Sequence, residues 1–282
     1  MRVPTVRVIV FLLSFFPLGL CAQSILYTAP PPPPTFSETF RLFGNRERDR
    51  IFADYGNLYN KNNAVNYGIA LFGAGIMANT TIDGNFQKWH GKNVNSGFSQ
   101  ELGKFSKLFG EGQYFIPIMV ASACTYRFWQ EKKGGWAECQ LGEFTDRTMR
   151  GYLVGAPALL ILQPLLGAGR PTMGPSDWHP FRRAHAVSGH AFVGAVPFIT
   201  AAQMTDRPVV KGVFYSLSTL CAWSRVNGDR HYLSQVVLGW YLAYLSVRAV
   251  SATESSLSLP RGLTLFPVCE VGTVGAGVLY RY

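Results

Sequence analysis

"RAHAVSGHAFVGAVPFITAA", residues 183–202, places Ser188-Gly189-His190 at the mouth of an apolar run that carries no charge before Asp206. Serine is a strong helix N-cap, and a glycine beside it lets another group approach the backbone. A helix start presents unpaired N–H groups and the positive end of the dipole, a natural anion site. Alone, the tripeptide is a capped helix with an incidental histidine. Its meaning depends on two further stretches: "GRP", residues 169–171, and "SRVNGDRH", residues 224–231.

Outward from that helix, the pattern predicts six helical segments, near 64–80, 113–130, 147–168, 188–205, 209–224 and 230–250, with Gly and Pro between them. This is an all-α, six-helix bundle over residues 63–250. The segment between Arg150 and Arg170 nearly has the length and apolarity of a membrane span. His190 opens the fourth segment, the fifth is short, and Asn66, Asn79 and two threonines interrupt the first. The set fits a buried soluble bundle slightly better than a polytopic one, and membrane association stays open. The tail, residues 251–282, changes period; Val278, Tyr280 and Tyr282 alternate after "GTVG", which predicts a C-terminal β-hairpin packed on the bundle.

The N-terminus reads as an export signal over residues 1–22. Arg2 and Arg7 precede an apolar run from Val8 to Leu20, and Ala22 is a plausible cleavage position. "APPPPPT", residues 29–35, is a stiff linker, and residues 36–62 read as a short helix and an irregular wrap. Export permits disulfides, and Cys124 with Cys139, flanking "EKKGGW", is the first pair to test; Cys221 lies in an apolar run and reads as a core residue. The chain is 48% hydrophobic, 15% charged and carries a net charge of +10. That balance suits phosphate esters and an anionic membrane surface. Lys and Arg occur in no cluster beyond short pairs, and neither zinc-ligand spacing nor an RNA-binding aromatic signature is present, so nucleic acid is not an expected partner.

Three pieces then stand in order, each at a predicted helix end: Arg170 after the third helix, Ser188-Gly189-His190 before the fourth, and Arg225 with His231 between the fifth and sixth. Transfer of a phosphoryl group spreads negative charge over its equatorial oxygens. Arginine answers this with a planar bidentate fork. Two histidines can divide the remaining work, one attacking phosphorus and the other protonating the leaving oxygen.

This set resembles the type 2 phosphatidic acid phosphatase and vanadium haloperoxidase superfamily, whose pattern runs K-x(6)-R-P, then P-S-G-H, then S-R-x(5)-H-x(3)-D. The resemblance spans about residues 110–250. It implies a helical bundle with its site at the helix ends. It also implies His231 as nucleophile, His190 as general acid, and Arg170, Arg225, Ser188 and Gly189 as the phosphate cradle. Three positions depart from the pattern. Gln163 stands where the lysine is expected, Val187 replaces the proline, and Gln235 replaces the aspartate. Residues 231 and 235 share a helix face, so Gln235 can orient the imidazole without supplying charge. Arg182 and Arg183 are candidates to replace the lysine.

The expected function is an exported, periplasmic or extracytoplasmic phosphatase, membrane-associated in one version. It cleaves a phosphomonoester or pyrophosphate, on a lipid, through a phosphohistidine, with no cofactor and no metal. The alternatives are a non-catalytic phosphate- or lipid-binding member of the same fold and a vanadate-dependent haloperoxidase. The substrate is a phosphorylated small molecule or lipid. "DWHPFRR", residues 177–183, reads as a pocket entrance, with His179 and His185 as candidate substrate contacts. "KWHGKN", residues 88–93, reads as a solvated loop, and Trp223 and Trp240 read as packing aromatics.

Overall fold

In this computed structural model the described residues are 36–129, 136–257, 263–270 and 273–280, with side chains described within 47–123 and 140–255. The expected signal peptide, the proline linker and the side chains of Cys124, Cys139 and Cys269 lie outside them. The described chain is mostly helical. The helices are α1 (Phe36–Leu58), α2 (Lys61–Ala78), α3 (Ile82–Asn93), α4 (Gly97–Lys107), α5 (Gly112–Trp129), α6 (Trp136–Leu166), α7 (Gly189–Gln203), α8 (Pro208–Ser218), α9 (Leu220–Asn227) and α10 (Leu233–Leu257).

Among the described residues, those within 43–255 form one compact unit, and 36–42 fall with the strand segments 263–270 and 273–280 in another. In the second, strands β1 (Leu263–Glu270) and β2 (Thr273–Tyr280) pair antiparallel, with Leu263 opposite Tyr280. Their side chains are outside the described set, so the expected packing of this segment on the bundle falls there too.

The first unit is built around α7. Ala191, Phe192, Ala195, Val196 and Ile199 are buried along its length, as expected for a helix without a polar face. Phe192, Val196 and Ile199 join Tyr152 and Leu159 of α6 and Leu238, Leu242 and Val247 of α10 in the main core. At the end of α10 remote from its N-terminus, Arg150 of α6 is fully buried. Its Nε and Nη2 donate to the Asp54 carboxylate at 2.7 Å each, and Nη1 donates to Glu254. This ion cluster fastens α1 to α6 and α10.

The segmentation differs from the expected six helices in four places, one of them α4, which lies between the first two expected helices. Residues 36–62, expected to be largely irregular, contain the long helix α1, whose polar surface is explained by its ion pairs. "KWHGKN" is the end of α3, not a solvated loop: His90 is buried and stacks near Phe86, one turn earlier, at 6.1 Å. The predicted helix 209–224 is two helices, α8 and α9, divided at Thr219 with no Gly or Pro to mark the break.

Outward-facing residues of α2 include Val65, Ile69, Phe72 and Ile76, and those of α6 include Leu153, Leu160, Ile161 and Leu165. Both sets repeat at helical spacing, the pattern of a lipid-facing stripe rather than a solvated face. By length and composition, Gln140–Met173 and Leu233–Ser255 are candidate membrane spans. These observations support membrane association, and they weigh against the preference for a soluble bundle.

Candidate active site

The site assembles where α6 ends and α7 and α10 begin. Ser188 caps α7 by accepting from Ala191 N–H at 3.3 Å, and its own N–H donates to Gln235 O at 3.0 Å. Gly239 makes this possible, because any side chain there would strike the Ser188 carbonyl. The two histidine-bearing helix starts are thus bound to each other through backbone. The start of α10 is capped from a distance: buried Asp83 of α3 accepts from Ser234 N–H at 3.0 Å and Ser234 Oγ at 2.5 Å. No local motif announces this cap.

His231 is 4% exposed. Its Nδ1 lies 2.8 Å from Gln235 Oε1. That oxygen also accepts from Tyr232 N–H at 3.2 Å, and Gln235 Nε2 donates to Gly169 O at 2.6 Å. These partners fix the amide orientation. They place the proton on His231 Nδ1 and leave the lone pair on Nε2. Gln235 thus bonds the His231 ring and also ties α10 to the Gly169-Arg170 loop, a task an aspartate has no donor for.

Burial, first of all, and then Arg225, Arg170 and His185 hold the His231 pKa down to about 3, against the upward pull of its bond to Gln235. His190, half-buried, is held down to about 4 by burial, then by Arg225 and Lys107, while Glu111 pulls it upward. Arg170 and Arg225 thus act on both histidines. The Nε atoms of both arginines are buried without a hydrogen-bond partner among the described residues. With Ser224, Lys107 and Arg230 they line a pocket of about 330 Å³. Buried cationic donors left unpaired around one cavity fit an anion with several acceptor oxygens.

The remaining sequence candidates divide. A Cβ built at Gly189 would make ordinary contacts with Gln163 Nε2 at 3.6 Å and Leu159 Cδ2 at 3.9 Å. Gln163 donates to Val187 O at 3.0 Å, so it supports the backbone before Ser188 and does not line the pocket. Arg183 is exposed and donates to Met173 O at 2.8 Å, bracing the loop. Arg182 is exposed and likewise absent from the lining. His185 lies 6.5 Å from His231, ring to ring, and belongs to the cluster; His179 is exposed and does not. Asp229 accepts from Gln87 at 2.5 Å, away from the His231 ring. Sequence reasoning missed Asp83, Lys107 and Glu111, all contributed by helices or turns far from the three motifs.

The family model described as PAP2 superfamily matches residues 134–256, which contain Arg170, His190, Arg225 and His231. Asp83, Lys107 and Glu111 lie outside the matched segment. Among solved structures, the chain is similar to the first transmembrane PAP2 type phosphatidylglycerolphosphate phosphatase from Bacillus subtilis. The two are 12% identical with a TM-score of 0.44, over 79% of this chain and 96% of that one. No curated protein matches the chain.

Proposed function

We propose that this chain is a phosphatase that hydrolyses a phosphomonoester or pyrophosphate carried on a lipid, with His231 as nucleophile and His190 as general acid. The observation that carries this reading is the pair of buried, unpaired guanidinium Nε atoms on Arg170 and Arg225, both acting on the same two histidines. His231 Nε2 attacks phosphorus and the bond to the leaving oxygen breaks. His190, protonated, gives that oxygen its proton. Water then attacks the phosphohistidine and returns a proton to His190, releasing phosphate and neutral His231. In the free enzyme His190 is kept neutral by burial and its cations; a bound phosphate anion opposes them and favours its protonated form. Arg170, Arg225, Ser188 and the start of α7 hold the equatorial oxygens.

The lipid part of the reading is supported by the apolar stripes on α2 and α6 and by the two candidate spans. Export rests on the N-terminal pattern of residues 1–22 and is tested by the N-terminus of the protein recovered from cells. Activity is tested by phosphate release from an aryl phosphate, a lipid phosphate and an isoprenyl pyrophosphate, in EDTA, with His231→Ala beside the wild type. Release that disappears in the variant supports the proposal and ranks the substrates. One observation favours a non-catalytic phosphate binder instead: the partner on His231 Nδ1 is a neutral amide, not a carboxylate. Orthovanadate binding without turnover of any of the three substrates would support that second reading.

A further inference from the structure

We propose that Lys107 is a phosphate-binding residue of this site and that Glu111 positions it, so that α4 supplies the cation missing at position 163. This rests on the phosphatase reading above. Gln163 is occupied with the Val187 carbonyl and is not part of the pocket. Lys107 lines that pocket with Arg170 and Arg225. It comes from the last turn of α4, which is fastened to the Arg225 helix: Asn227 Nδ2 donates to Ser99 O at 3.0 Å.

Glu111 completes the arrangement. Lys107 Nζ pairs with Glu111 Oε1 at 2.7 Å. The residue before Glu111, Gly110, lies so close to the start of α7 that a Cβ would fall 2.7 Å from His190 O and 2.5 Å from Cys221 Sγ. Cys221 Sγ itself donates to His190 O at 3.1 Å. The Lys107–Glu111 pair is therefore anchored beside His190 by backbone packing, not by a loose loop. An ammonium has three donors, so Lys107 can keep Glu111 and still reach a phosphate oxygen. Lys104, one turn earlier, also lines the pocket, but it pairs with Glu101 at 2.6 Å with both side chains at least 70% exposed, a solvated helix pair with no packing against His190. The negative charge of Glu111 also favours protonated His190, so the pair serves both halves of the reaction.

The test uses the full chain in detergent, with Lys107→Met, Lys107→Arg, Glu111→Gln and Lys92→Met. One lost charged contact predicts a fall of about 10- to 100-fold in kcat/KM for Lys107→Met, largely restored in Lys107→Arg. Lys92→Met, at an exposed position of α3 outside the pocket, stays within about twofold. Glu111→Gln moves the alkaline limb of the kcat/KM profile to lower pH, an effect that a merely structural role would not produce. Wild-type activity in Lys107→Met overturns the proposal, as does equal loss in Lys107→Arg. Orthovanadate binding, measured by calorimetry, separates the two failures. If the wild type turns over no substrate, the phosphatase reading falls, and weaker vanadate binding by Lys107→Met than by wild type still decides the role of Lys107. Equal vanadate binding by the two overturns it.

Discussion

Gln235→Leu removes one side chain of similar size from the centre of the site. Gln235 is 0% exposed and makes three hydrogen bonds, with His231 Nδ1 at 2.8 Å, Tyr232 N at 3.2 Å and Gly169 O at 2.6 Å. Leucine leaves the Tyr232 N–H and the Gly169 carbonyl buried and unpaired, at about 1–3 kcal/mol each. Burial of the new apolar surface returns about 1–2 kcal/mol. The net loss is about 2–4 kcal/mol, or roughly 5–15 °C in Tm for a unit of this size. The catalytic loss has two parts. The tautomer bias on His231 is worth one hydrogen bond, about 2- to 10-fold in population. The loss of ring orientation adds to it, under a ceiling of about 10⁴, the cost of a wrongly held histidine in a serine-protease triad. The expected fall in kcat is about 100-fold, with KM little changed because Gln235 is not part of the pocket lining. The assay is phosphate release against substrate concentration, with thermal unfolding followed in parallel. A kcat within about threefold of wild type, with Tm within about 1 °C, would refute the reasoning.

Arg150→Met leaves Asp54 buried without its principal cation, so it is expected to cost about 3–5 kcal/mol while leaving KM unchanged; denaturation and kinetics on the same preparation check both. Gly110→Ala pushes a methyl group against Cys221 Sγ and His190 O, and should lower kcat and Tm together; wild-type kcat and Tm in the variant would contradict this close packing. Stability also depends on pH through the two histidines. Both have folded pKa values below the ordinary 6.5, so the unfolded chain takes up protons first. Their stabilising contribution is full above about 6.5 and is lost as pH falls from there toward 4 and 3. Tm should drop across that window, and less so in a His190→Asn, His231→Asn double variant.

The three motifs of the candidate site were legible because each sits at a helix end with a local signature. A capping serine precedes His190, a proline follows Arg170, and a four-residue spacing joins His231 to Gln235. The apolar run after His190 likewise gave away the central helix α7. What spacing cannot carry is contact between distant segments. Asp83 capping α10, and Lys107 and Glu111 beside His190, come from stretches whose local pattern is that of an ordinary polar helix face. The error at "KWHGKN" has a different source. Its polar composition concealed Phe86 and His90, one turn apart on a face that the fold buries. The choice of Arg182 or Arg183 for the missing lysine followed nearness in sequence, and sequence alone could not bring forward Lys107, which reaches the pocket through the packing of α4 on α9. At Gln235 the pattern showed a lost charge but not the gained bond to Gly169, which exists only because the loop returns to α10.

The most direct measurement is the search for a phosphoryl group on His231 itself. The enzyme would be mixed with radiolabelled substrate, quenched in alkali within the first turnovers, digested and mapped by mass spectrometry. Phosphohistidine at position 231, absent in His231→Ala and accumulating in a His190 variant with a good leaving group, is the predicted result. Steady phosphate release with no label on His231, or release that survives His231→Ala, would contradict the account.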